Sequence, residues 1–233
     1  MHLNFHLKTK LLACLFCAVA LHTPVFAQSA EDFNMSRDNL MVVLRESIGA
    51  NKQDDTLVPT GKRKATLPDG RVVEFEIASF EFIGDMHLRL VFDGPSSMRN
   101  ATPQDLSNLK LTVAEALRVS IANIERVYGP PKVSPWTGGV MQVQGRSPDL
   151  DSSYFLDQAF WESLLKQYPD GIVVAVPSRG GLLYAPLSDS QDVSGLQKTI
   201  MALHASSERL RISSALYLFK DNKWSIFQAP HKQ

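Results

Sequence analysis

The chain predicts an α+β fold, in which antiparallel sheets built from hairpins carry about four amphipathic helices. Three observations predict it. The stretch Gly171 to Pro186 sets the apolar run Ile172 to Val176 before Pro177-Ser178-Arg179-Gly180-Gly181 and a second run, Leu182 to Ala185, after it. That is the pattern of a buried β-hairpin with one charge at its tip. Thr112 and Glu115 have capping-box spacing ahead of the stripe Val113, Leu117, Ile121, Ile124 and Val127, with Gly129 and Pro130-Pro131 ending the helix. Elsewhere short turns join neighbouring apolar or alternating runs, which favours antiparallel pairing.

At the N-terminus, Lys8 and Lys10 precede the apolar run Leu11 to Leu21, the polar break His22-Thr23-Pro24 and then Val25-Phe26-Ala27. This is the order of a secretory signal peptide over residues 1–27, with cleavage expected after Ala27 and a periplasmic or secreted destination. The run is shorter than the roughly 20 residues that span a bilayer. Leu11-Leu12-Ala13-Cys14 loosely resembles a lipobox, but modification there leaves almost no apolar segment ahead of the cut.

Cys14 and Cys17 both fall in that segment, so the mature chain, 28–233, is expected to hold no disulfide and to stand on its core alone. It is long enough for one α+β domain, with a candidate sub-boundary at 130–139. Removing Lys8 and Lys10 turns 24 basic against 24 acidic residues into 22 against 24. Neither sign forms a block, so no nucleic-acid or anionic-membrane footprint is expected, and no later run is long enough for a membrane span.

In order, Leu40, Met41, Val43, Leu44 and Ile48 recur at helical spacing from Ser36, with Gly49 as a stop. Asn51 to Lys62 reads as a loop. Lys64 to Leu67 and Arg71 to Ile77 flank Pro68-Asp69-Gly70 as a hairpin with one wet face. His87 to Phe92 adds a strand to make a meander. Asp93 to Asn108 reads as a loop before the capped helix. Pro130 to Gly139 is a further loop, followed by the strand Val140 to Gln144. Ser152 or Ser153 caps a helix through Phe155, Leu156, Ala159, Phe160 and Leu164, and Pro169-Asp170-Gly171 leads into the opening hairpin. Asp189 or Asp192 caps a helix through Val193, Leu196, Ile200 and Leu203. The strands Ala215 to Lys220 and Lys223 to Phe227 close the chain around Asp221-Asn222. The two hairpins of this half share no residue pattern beyond apolarity, which argues against an internal repeat.

Ala122-Asn123-Ile124 within the capped helix, the serine-rich start before Phe155-Leu156 and Trp161, and Val173-Val174-Ala175-Val176-Pro177-Ser178-Arg179 together resemble the YtpQ-like family, bacterial proteins carrying a domain of unknown function. The resemblance covers roughly Met86 to Phe227. It implies a fold more than a function. The family pattern places Asp directly after Pro-Ser-Arg, where this chain has Gly180. The resemblance therefore implies that any role of that Asp is missing here or passes to another residue such as Asp189. Members commonly lack a signal peptide, so export implies a different partner.

Four kinds of chemistry are weighed on the residues. Ser178 as a nucleophile would need His204 or His87 as base and an Asp behind it. A nucleophile elbow, however, requires Gly-x-Ser-x-Gly between strand and helix, whereas Pro177 precedes this serine and a strand follows. A turn serine bonded to its own backbone is the plainer reading. Arg179, flanked by Gly180 and Gly181, suits an anion clamp. Its alternative is a structural pair with Asp157 or Asp189. His87, His204 and His231 have no metal-ligand spacing, so no metal and no cofactor is expected. Trp161 and Trp224 fall on core-facing positions, whereas Trp136, in Pro135-Trp136-Thr137-Gly138-Gly139, reads as a loop aromatic available for binding.

The sequence thus favours an exported, non-enzymatic protein that binds another protein or an envelope ligand through Ser178, Arg179, Gly180, Gly181 and Trp136. A serine-type hydrolase using Ser178 and a small-anion binder using Arg179 are the alternatives.

Overall fold

Two antiparallel sheets and a detached hairpin carry the helices in the computed structural model, which describes residues 34–231. The segment read as a signal peptide and both cysteines lie outside the described residues. The fold is α+β. Its first part runs β1 (Leu40–Glu46), β2 (Val58–Pro59), β3 (Lys62–Thr66), β4 (Val72–Glu76), β5 (Ser79–Glu81), β6 (Met86–Asp93) and β7 (Met98–Asn100). Then come α1 (Pro103–Asn108), α2 (Val113–Tyr128), β8 (Lys132–Thr137), β9 (Val140–Gln144) and α3 (Gln158–Leu165). The chain continues through β10 (Ile172–Ser178), β11 (Gly181–Pro186), α4 (Ser190–Ser206), β12 (Leu216–Lys220) and β13 (Lys223–Gln228).

The first sheet is ordered β1-β6-β5-β2, with β7 pairing β6 beyond β5 along the same edge. The second is a six-stranded antiparallel sheet, β13-β12-β10-β11-β9-β8, and among the described residues β3 pairs only β4. The hairpin β10–β11 lies at the centre of the larger sheet, bonded to β12 on one side and β9 on the other. Both of its faces are covered, which is why it reads as unbroken apolar runs rather than as an alternation. Ile172, Val174 and Val176 enter the main core with Trp161, Phe155 and residues of β1 and β6. Val173, Ala175, Leu183 and Ala185 pack under Val193, Leu196 and Ile200 of α4.

The capped helix forms as the sequence predicts. Glu115 N donates to Thr112 Oγ1 at 3.3 Å, Thr112 N donates to Glu115 Oε2 at 2.8 Å, and Gly129 ends α2 at φ +83°. The central hairpin, the β3–β4 hairpin, β6, β9, the helix capped by Asp189 and the closing hairpin stand where expected.

Five local expectations are corrected. The segment read as a helix from Ser36 is strand β1, because Leu40 to Leu44 are all buried and a strand covered on both faces needs a continuous apolar run. Ile48, the last residue of the supposed stripe, is 75 % exposed. The β3–β4 hairpin does not join β6 in a meander, since β6 pairs β1, β5 and β7. The loop Asp93 to Asn108 contains β7 and α1, the latter opened by Thr102, Pro103 and a reciprocal bond with Asp105. Pro130 to Gly139, read as a loop, contains β8, so Trp136 is a strand residue. Finally, neither Ser152 nor Ser153 caps α3. They lie in a 3-10 turn, Asp151–Leu156, and Asp157 is the cap, accepting from Phe160 N at 3.1 Å.

Candidate functional site

Two rungs of the first sheet set the site. Arg45 stands opposite His87 and Val43 opposite Arg89 in the β1–β6 ladder, so the two-residue period puts Arg45, His87 and Arg89 on one face. Arg63, from the detached β3–β4 hairpin, is close enough to repel the charged forms of His87 and Arg89. Arg179, from the tip of β10–β11, is close enough to repel Arg45 and Arg89. Four guanidinium groups therefore converge from three separate parts of the fold. Among the described residues none of the four makes an ion pair with a carboxylate.

The local electrostatics follow. Burial pushes the Arg45 guanidinium down to about 10, Arg179 and Arg89 push further, and Asp149 partly offsets them. Arg89 is lowered by burial first, then by Arg63 and Arg179. Both remain charged at neutral pH. His87, buried, is held down to about 4 by burial and then by Arg89, Arg63 and Arg45. Arg89 Nε donates to His87 Nε2 at 2.9 Å, which makes that nitrogen an acceptor. The imidazole proton therefore sits on Nδ1, which donates to Ser47 Oγ at 2.9 Å.

This carries a pH prediction. A base whose folded pKa lies below its unfolded value stabilises the fold fully above the unfolded value of about 6.5 and loses that contribution as pH falls toward about 4. Between pH 6.5 and pH 5 the loss from His87 is about 2 kcal/mol. His87→Gln, which keeps an acceptor for Arg89, is expected to flatten urea-unfolding stability over that interval. Equal slopes in wild type and variant would show that His87 is not the titrating group.

Arg45 and Arg179 open onto one cleft of about 430 Å3, closed on its other sides by Asp93, Asp149, Tyr128, Ser147 and the 94–98 segment. Tyr128 Oη donates to Asp93 Oδ2 at 2.6 Å. Burial, then Asp93 and Asp149, push its phenol up to about 12. Arg179 N donates to Leu210 O at 3.1 Å, and Arg179 O accepts from Ser152 N at 2.8 Å. Arg179 Nε is buried and has no hydrogen-bond partner among the described residues. Gly180 and Gly181 answer close approach rather than a left-handed backbone. A Cβ on Gly180 would lie 3.1 Å from Pro148 O, and one on Gly181 would lie 2.8 Å from Ser178 Oγ. The first contact also leaves little room for the Asp of the YtpQ-like pattern.

Arg179 pairs with neither acid considered for it. Asp157 caps α3 and adjoins Glu125, whose carboxyl burial and then Asp157 push up to about 7. Asp189 accepts from Gln191 N and Asp192 N, both at 3.1 Å. Ser178 ends β10 and bridges Arg211. Among the described residues no hydrogen bond joins its Oγ to an imidazole or a carboxylate, and the two bases considered for it are engaged elsewhere. His204 Nε2 meets Glu46 Oε1 at 2.9 Å, and His87 is held by Ser47 and Arg89.

Trp136, 37 % exposed, lines a second cleft of about 380 Å3 with Thr137, Gln191, Asp192 and Lys198. The residues proposed from sequence thus divide between two clefts, and of the hairpin tip only Arg179 reaches the first. Sequence reasoning missed Arg45, Arg63 and Arg89, and weighed His87 only as a base for Ser178 or a metal ligand. For His87 and Arg89 the signal was the alternation in β6, which places both opposite the face of Leu88 and Leu90.

Comparison with known proteins finds no matching family model, no matching curated protein and no matching solved structure.

Proposed function

We propose that this is an exported, non-enzymatic binding protein of the cell envelope, and that its ligand is a small anion held between Arg45 and Arg179. The YtpQ-like resemblance belongs to the same proposal and adds no chemistry to it. One observation carries the reading: Arg45 and Arg179 line one cleft, Arg89 shares the sheet face of Arg45, and among the described residues none of the three is ion-paired with a carboxylate. Partly buried like charges repel by kilocalories at an effective dielectric of about 20. A structural role would be served better by a paired arginine, whereas a ligand site needs its donors unspent. The volume, about 430 Å3, lies within the range of small-molecule sites.

The test is thermal unfolding in orthophosphate against chloride at matched ionic strength. At a hundredfold excess over Kd, wild type is expected to gain about 5 °C, and Arg179→Ala to gain nothing. No gain in wild type, or an equal gain in the variant, would count against the site.

A further inference from the structure

The same cleft carries negative as well as positive side chains, and this sharpens what it holds. Arg45 and Arg179 line it together with Asp149 and Asp93. Asp149 acts on both poles. It partly offsets the repulsion on Arg45, and it acts on the Tyr128 phenol together with Asp93. It forms no ion pair with any arginine among the described residues, and no hydrogen bond satisfies its carboxylate there. Asp93 is different, since Tyr128 Oη already occupies one of its oxygens. Asp149 is therefore the cleft carboxylate with neither oxygen hydrogen-bonded among the described residues, Asp93 keeps one unbonded oxygen, and the facing donors belong to Arg179 and to Arg45, whose Nη1 already donates to Leu44 O at 2.6 Å.

A site meant for a simple anion gains nothing from a carboxylate in its wall, because that carboxylate repels the ligand it helps to enclose. A ligand with an anionic head and an ammonium a few bonds away satisfies both walls at once. The guanidinium groups take the head through charge-assisted bonds, and the carboxylate takes the ammonium. Arg89, on the same sheet face as Arg45 and near enough to Arg179 to be repelled by it, adds positive charge to that side, which favours a head with two negative charges over one. Resting on the anion-binding reading above, we infer that the ligand is a small amine-bearing anion whose ammonium is received by Asp149 and whose head is a dicarboxylate or a phosphate monoester. An acidic amino acid and an amino-alcohol phosphate share that chemistry.

Two matched pairs of probes test it and separate the sources. Glutamate and glutarate differ only by the amine, as do phosphoethanolamine and ethyl phosphate. Calorimetric titration of the wild-type mature protein is expected to show the amine-bearing member of at least one pair binding about tenfold tighter than its partner, the pair identifying the head. Asp149→Asn is expected to erase that preference while leaving glutarate or ethyl phosphate bound as tightly or more tightly. Arg179→Ala is expected to weaken both members alike. Equal binding of the matched members, or a preference that survives Asp149→Asn, overturns the ammonium assignment while the orthophosphate result still supports the anion site. Failure of orthophosphate to stabilise wild type removes the anion site itself, and this inference with it.

Discussion

Trp161→Ala is expected to lower the unfolding free energy by about 4 kcal/mol, a large share of the total for a domain of this size. The indole is fully buried at the meeting point of α3 and the larger sheet. Trp224 lies edge-on at 5.4 Å, Phe160 at 4.9 Å and Tyr184 at 6.1 Å between ring centroids. The indole N–H also donates to Tyr154 O at 2.9 Å and Phe155 O at 3.1 Å, and Tyr154 O additionally accepts from Asp157 N at 3.1 Å. Truncation therefore opens a cavity and removes a donor from two buried acceptors. Urea titration should show a lower midpoint with an unchanged slope. A loss below about 1.5 kcal/mol would mean that the neighbouring rings refill the space.

Gly84→Ala is the second large effect, expected at about 3 kcal/mol from a strained backbone and a steric clash together. Gly84 has φ +67°, and its N–H and carbonyl both bond Lys52, at 2.7 and 2.9 Å. A Cβ there would lie 2.5 Å from Tyr217 Oη and 2.9 Å from its Cε1. Tyr217 cannot retreat cheaply. It is fully buried, and its hydroxyl is bonded to Ser213 Oγ at 2.7 Å and Asp85 Oδ1 at 3.2 Å. Asp85 is itself raised by burial, so disturbing its partners leaves a carboxyl that the interior already disfavours in its charged form. A double-mutant cycle with Tyr217→Phe checks the cause. Recovery of part of the loss is expected once the hydroxyl is gone, and strict additivity would place the cost in the backbone alone.

Much of the fold was legible because periodicity and turn chemistry are local. The closing strands turn at Asp221 and Asn222 as read, and both residues take positive φ, at 52° and 57°, as a tight two-residue hairpin turn requires. The Thr112–Glu115 box needs nothing beyond its own four residues. What failed depended on layers that a local window does not contain. Leu40 to Leu44 fits a helical stripe until the covering of both faces is known, and Pro130 to Gly139 reads as a breaker until β9 lies beside it. The candidate site was legible only at Arg179. Arg45 could not be read while its strand was taken for a helix, and Arg63 reaches the cluster from a hairpin that no sequence spacing ties to β6.

For the proposed anion site, the central hairpin has a consequence for affinity. Its strands are paired along both outer edges, and at the tip Arg179 gives its N–H to Leu210 and receives the N–H of Ser152. The backbone that presents the guanidinium is already ordered before any ligand arrives. Binding then freezes only side-chain torsions, about 0.5–1.5 kcal/mol for such a chain, with no loop to be folded. A ligand of few atoms is thus left with most of its electrostatic gain as net free energy, and structural change on occupation should be confined to rotamers.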